Sequence, residues 1–251
     1  MGRAGGTSKS KTIMNDTVLY KLMTSAHAKS SICQKRLKIS LLPELNDPYE
    51  WVPAIVDGSG APIFEAEKVR SVMYAGIKEK HGMICMSKAI DDPVMWSHYG
   101  DKHKGIALAF TFPNNSGVVE VKYSKDRIAI DLQNNSEPGP VLAAAFEQLL
   151  VRKYEGWSYE KEYRFIVSVN PATQEDGHFW KELTDEYFSG IVLGCLCPDT
   201  EEGMKAFLAA QGFTKVAVAR ARMDSKQFKM SLQPAPPPYS SPAAGSESGE
   251  T

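Results

Sequence analysis

The sequence predicts an α+β fold: a single domain with a mixed β-sheet and peripheral helices. Three observations lead there. Short apolar or alternating runs recur along the chain with the two-residue period of strands. Longer stretches with helical spacing fall between some of these runs but not others, which fits a mixed sheet better than a regular doubly wound one. The 251 residues are 43% hydrophobic, enough to bury a core, and carry no internal repeat.

In chain order, Val18 to Lys21 is a short apolar strand, and Ser25 to Arg36 is a polar stretch with Ala26, Ala28, Ile32 and Cys33 at helical spacing. Leu37 to Ser40 alternates like a half-buried strand. Asn46-Asp47-Pro48 is a rigid turn, because Asn and Asp bond their own backbone and Pro fixes its φ. The stretch from Ile63 to Lys80 is rich in Glu, Lys, Ala and Met and repeats Phe64, Val69, Val72, Met73 and Ile77, the pattern of a surface helix. Gly82 to Ser87 and Gly105 to Phe110 are buried strands, and between them Asp92 caps a helix with Pro93 in its first turn. Val118 to Tyr123 alternates again, Pro140 to Tyr154 is a helix, and Tyr163 to Val169 and Gly190 to Gly194 are strands. A helix from Thr200 to Gln211 and a strand from Lys215 to Arg220 complete residues 16–232.

The flanks differ in composition. Met1 to Asn15 is rich in Gly, Ser and Lys, lacks the apolar core of a secretory signal, and is expected to be a flexible arm. Gln233 to Thr251 is dominated by Pro, Ser, Ala and Gly and is expected to be disordered. No run approaches the roughly eighteen apolar residues of a spanning helix, so no membrane partner and a cytoplasmic location are expected. With 29 basic and 30 acidic residues, a net charge of -1 excludes a global attraction to nucleic acid and leaves only local patches. The four cysteines are scattered, and Cys195-Leu196-Cys197 lacks zinc-ligand spacing and a second ligand pair.

Three clusters concentrate the polar chemistry. Asn46-Asp47-Pro48-Tyr49-Glu50 is either a turn or a hydrogen-bonding wall for a sugar or base. Trp96-Ser97-His98-Tyr99 sets rings and a hydroxyl side by side. There His98 is a candidate proton shuttle and the aromatics can stack on a planar ring, the plain alternative being a helix end packed on the sheet. In Glu160-Lys161-Glu162-Tyr163-Arg164, alternate side chains share one face, so Glu160, Glu162 and Arg164 are expected together. Two neighbouring carboxylates raise each other's proton affinity unless a cation such as Arg164 intervenes.

Together with Leu19-Tyr20-Lys21 and Lys104-Gly105, these segments over roughly residues 18 to 195 resemble an uncharacterised bacterial domain family. The strand order is more remotely similar to the ADP-ribosyltransferase layout: a first strand with a polar anchor, a second strand ending in Ser, and a late strand with Glu-x-Glu. That resemblance implies NAD as substrate. On that resemblance Glu162, with Glu160, would be catalytic, and Lys21 and Ser40 would hold the nucleotide; residue chemistry adds His98 as a catalytic candidate and Tyr49, Tyr99 and Arg164 as candidate nucleotide contacts. The resemblance further implies a transferase or NAD glycohydrolase of the kind found among toxins and phage-defence effectors, with nucleic acid or protein as acceptor. Lys21 stands where such enzymes have His or Arg, and it lacks the planar fork of Arg. Two other readings stay open. One is a metal-dependent nuclease or hydrolase using Asp47, Glu50, His98, Glu160 and Glu162. The other is a non-enzymatic binding module presenting Trp96, Tyr99, Lys102, His103 and Lys104.

Overall fold

The computed structural model describes residues 16–77, 81–113, 116–131 and 138–233. The expected N-terminal arm lies outside the described residues, and so does the tail expected from Gln233 onward, except Gln233 itself, which ends the last strand. The chain runs β1 (Thr17–Met23), α1 (Ser25–Cys33), β2 (Arg36–Leu41), β3 (Ala54–Val56), α2 (Ala66–Ile77), β4 (His81–Ser87), α3 (Pro93–His98), β5 (Ile106–Phe112), β6 (Val118–Glu120), β7 (Lys122–Ser124) and β8 (Ala129–Asp131). It continues through α4 (Pro138–Leu150), β9 (Arg152–Tyr154), β10 (Glu162–Ser168), β11 (Phe179–Glu182), β12 (Phe188–Leu193), α5 (Glu201–Ala210), β13 (Ala217–Met223) and β14 (Met230–Gln233).

Ten of these strands form one mixed sheet, as expected, with the path β11-β2-β4-β1-β5-β12-β13-β14 and with β10 and β6 attached beside β4. Its pairs are antiparallel except β12 with β13, which run parallel around the α5 crossover. The helices start where their caps permit. Thr24 accepts from the His27 amide at 3.1 Å, Asp92 from Val94 at 2.7 Å, and Thr200 from Gly203 at 3.0 Å.

β4 is where the sheet forks. One edge pairs with β10 along its whole length, from Glu162 opposite Ser87 to Ser168 opposite His81. The other edge is shared. β2 holds its start, with Ser40 opposite Met83 and Leu41 opposite Gly82, while β1 meets it only at its end, with Tyr20 opposite Ser87.

The period of two divides the side chains of β4 and β10 between two cores. Ile84, Met86, Tyr163 and Phe165 join the large core that α1 and α5 cover, with Leu19, Ile32, Leu108 and Leu208 at its centre. Met83 and Cys85 face the other way, onto Leu42, Trp51 and Leu149. Arg164 pairs with Cys85 across the strands and donates to the Leu150 carbonyl at the end of α4 at 2.9 Å.

Several sequence expectations shift. The stretch from Val118 to Tyr123 divides at Val121, giving β6 on β10 and β7 on β9. The expected helix to Tyr154 ends at Leu150, and Arg152 to Tyr154 becomes β9, parallel to β7. β3, β8, β11 and β14 are short pairings of at most four residues, too short to show a strand period. Glu160 does not lie on β10. It closes a 3-10 turn from Glu155 to Glu160, and Lys161 reverses the chain in the left-handed region at φ 43°.

No helix among the described residues is long and apolar enough to cross a membrane.

Candidate functional site

At the fork a cavity of about 240 Å³ opens between the strands. Lys21 from β1, Ser40 from β2, Cys85 from β4, Tyr99 from the end of α3, Lys153 from β9, and Glu160 and Glu162 all line it. Lys21 Nζ reaches across and donates to the Cys85 carbonyl at 3.4 Å. Tyr99 is the C-terminal cap of α3, a helix fixed by the Asp92 cap and by the indole of the wholly buried Trp96, which donates to the Ile90 carbonyl at 2.7 Å.

One wall of the cavity is a buried ionic cluster. Arg164, fully buried, donates from Nε to Glu162 Oε1 at 2.8 Å and from Nη2 to both oxygens of Glu50 at 2.9 Å. Lys153 Nζ lies 2.6 Å from Glu160 Oε2, 3.0 Å from Glu162 Oε2 and 3.5 Å from Glu50 Oε1. Three carboxylates therefore share two cations and leave one net negative charge, on side chains no more than 5% exposed. Charges this deep persist only when their mutual attraction and hydrogen bonds offset the loss of hydration.

The two neighbouring glutamates are pushed apart in acidity. Burial acts to raise the Glu162 carboxyl, but Arg164 and Lys153 outweigh it and hold the pKa at about 2. For Glu160 burial wins over Lys153 and Tyr99, and its pKa lies above the ordinary value. Glu50 is likewise raised by burial against Arg164 and Lys153. Lys21 is lowered by burial, which weakens its hold on a proton despite nearby Glu162. A carboxylate kept ionised beside one poised to take a proton is the division of labour that acid–base sites require.

The Tyr99 hydroxyl links this cluster to the turn after β2, accepting from Asn46 Nδ2 at 2.6 Å and donating to Glu160 Oε1. Asp47 instead accepts from the Tyr49 amide at 2.9 Å and closes the turn. One segment thus does both things its composition suggested: Asn46 and Glu50 serve the cluster, and Asp47 serves the turn.

Of the residues singled out from sequence, Lys21, Ser40, Asn46, Glu50, Tyr99, Glu160 and Glu162 line one cavity. Arg164 stands behind it, holding Glu162. His98 and Tyr49 are not brought to this cavity. His98 is exposed, with Nδ1 2.9 Å from the Tyr159 hydroxyl, and the half-exposed Tyr49 lines a different cavity. Trp96, wholly buried, offers no face for stacking.

Lys153 is the residue that sequence reasoning missed, because Arg152-Lys153-Tyr154-Glu155 reads as a solvated helix end. The available signal was a charge count: Glu50, Glu160 and Glu162 placed together with only Arg164 would leave two buried negative charges.

The carboxylates grouped in the metal reading are separated by the Lys153 ammonium and the Arg164 guanidinium, while Asp47 faces its own turn and His98 faces Tyr159. Among the described residues no group of three or more His, Cys, Asp or Glu side chains is arranged to hold a metal ion.

No curated protein and no solved structure matches the chain. A family model described as a protein of unknown function (DUF2971) matches residues 95–165, the stretch from α3 into β10 that contains Tyr99, Lys153, Glu160, Glu162 and Arg164. Over that stretch the chain is similar to an uncharacterised domain family.

Proposed function

We propose that the cavity at the fork binds the nicotinamide–ribose end of NAD and that the protein cleaves the bond between them, passing ADP-ribose to water or to a nucleic-acid or protein acceptor. The observation that carries this reading is the meeting of Lys21, Ser40 and Glu162, from three different strands, on one cavity. A cavity of about 240 Å³ is smaller than the roughly 300–1,000 Å³ that encloses a drug-sized ligand, so one end of the dinucleotide is enclosed and the other lies outside.

As the glycosidic bond breaks, its electron pair leaves with nicotinamide and positive charge develops on the ribose. The ionised Glu162 carboxylate on the cavity wall favours that state over the ground state. Glu162 contributes a charge that stays ionised at neutral pH, and Glu160, with its raised pKa, is the group suited to accept the proton of the attacking water or acceptor. Lys21 is placed for a phosphate or ribose oxygen, as a point charge rather than a fork.

The test is nicotinamide release from NAD, followed chromatographically, with the full chain alone and with cell extract or nucleic acid added. The expectation is release by the native protein and near-total loss in Glu162→Gln. Ser40→Ala, which leaves the ionic cluster untouched, is expected to lower activity without lowering the melting temperature. No release under any of these conditions, or equal release by Glu162→Gln, refutes the reading.

A further inference from the structure

A second cavity, of about 460 Å³, shares Lys153 as a wall with the first. It has the size of a small-molecule site. Its lining is strongly one-sided in hydrogen-bonding capacity. Lys125 and Arg127 follow β7, Arg152 belongs to β9, and Asp126 is the one carboxylate among the lining residues. Lys125 is 76% exposed, and its partner Glu155 stands 3.8 Å away.

Three buried donors of the lining residues, Trp51 Nε1, Arg127 Nη1 and Arg152 Nε, have no acceptor among the described residues. Unmet buried donors are costly and rare in a finished fold. Trp51 is also held at φ 62°, in the left-handed region that bulky side chains avoid. Strain of this kind persists where surrounding structure over-determines it, and it gathers at binding sites.

Besides the buried Trp51, two exposed aromatic rings line the same cavity. Tyr49 and Tyr154 are 55% and 53% exposed, and the Arg127 guanidinium lies 5.7 Å from the centre of the Tyr49 ring. Three cationic side chains lining one cavity call for an anionic group rich in lone pairs, and exposed rings beside them call for a flat partner. A nucleotide has both parts.

We propose that this cavity is a nucleotide-binding site, with the phosphate against Arg127, Arg152 and Lys125 and the base stacked on Tyr154 or Tyr49. It does not depend on the NAD reading. A free mononucleotide and the phosphorylated end of a single strand present the same chemistry, and both are used as probes.

The experiment is calorimetric titration of the full chain with 5′-AMP, adenosine, inorganic phosphate and a 5′-phosphorylated single-stranded oligonucleotide. AMP is expected to bind at least roughly tenfold more tightly than adenosine or phosphate alone. Arg127→Gln and Arg152→Gln are each expected to weaken AMP by roughly tenfold or more, the effect of losing a hydrogen bond to a charged group. Tyr154→Ala is expected to weaken it about fivefold or more through lost stacking. Because Tyr154 is half exposed, that variant keeps the native melting temperature and separates lost binding from lost fold. An oligonucleotide that binds more tightly than AMP assigns the site to a strand end, and one that binds no more tightly assigns it to a mononucleotide. Absence of AMP binding by the native chain, or AMP binding unchanged in all three variants, overturns the proposal.

Discussion

Replacing Lys153 with Met probes the ionic cluster with little change in side-chain bulk. The ammonium stands 2.6, 3.0 and 3.5 Å from Glu160, Glu162 and Glu50. Each contact is worth several kcal/mol gross at an effective dielectric of about 20, but the ammonium also forgoes its hydration when it is buried. What remains after Lys153→Met is three carboxylates against Arg164 alone, two net negative charges instead of one. Removing one partner of a buried pair costs about 3–5 kcal/mol, a large share of a total stability of roughly 5–15 kcal/mol.

The loss carries a pH signature. Glu160 already holds its proton more tightly than usual because of burial, and Lys153 is the first of the groups opposing that. Without Lys153 the folded-state pKa of Glu160 rises further above its unfolded value. A raised folded pKa means that the native state binds the proton first, so the variant gains stability as pH falls through that pKa and stops gaining near the unfolded value of about 4.3. Urea denaturation followed by fluorescence of buried Trp51 and Trp96 is expected to show a deficit of about 3–5 kcal/mol at pH 7.5 that shrinks by about 1 kcal/mol or more at pH 5. A deficit below about 1 kcal/mol at pH 7.5, or one that widens toward pH 5, refutes the view that Lys153 neutralises this cluster.

Other expectations follow from the same geometry. Tyr99→Phe removes the donor to Glu160 and leaves Asn46 without its acceptor, at a cost of about 1.5–3 kcal/mol in denaturation; it also raises the Glu160 pKa further, so the acid limb of any pH–rate profile moves to higher pH. Glu162 is depressed from 4.5 to about 2, so its contribution of about 3 kcal/mol is present above the unfolded pKa and lost as pH falls through about 2. The stability gap between native protein and Glu162→Gln, read from melts between pH 5 and 2, should therefore close across that window. Gly105→Ala would set a methyl group 2.2 Å from the Met23 carbonyl oxygen, a backbone atom that cannot step aside, and is expected to cost about 3 kcal/mol or more by thermal melting.

The elements legible in the sequence were those whose pattern is local. The Asp92-Pro93 start of α3 and the Thr200 cap of α5 need only neighbouring residues, and both stand where they were expected. The alternation that put Glu162 and Arg164 on one face of a strand was legible for the same reason. The fork was not, because no residue of β4 announces that one edge is divided between β1 and β2; that depends on partners distant in the chain. Lys153 was lost with its strand, since β9 exists through pairing with β7 and three residues cannot show a period. Tyr49 and His98 were grouped with the site because their neighbours in sequence belong to it. Yet adjacent residues on a turn or helix end point to different surroundings, and Asn46 and Tyr99 took the inward places.

The ionic cluster also bears on the order of events in folding. Glu50 and Arg164 are separated by 114 positions in the chain, while Lys153, Glu160 and Glu162 lie close together. Dehydrating any one of these charges before its partners arrive is uphill. The apolar faces of β4 and β10 must therefore dock first, with the cluster sealing over an already collapsed core. Substitutions at Glu50 or Lys153 should then hasten unfolding while leaving the refolding rate nearly unchanged, which makes the buried charges a latch on the finished fold and no part of its nucleus.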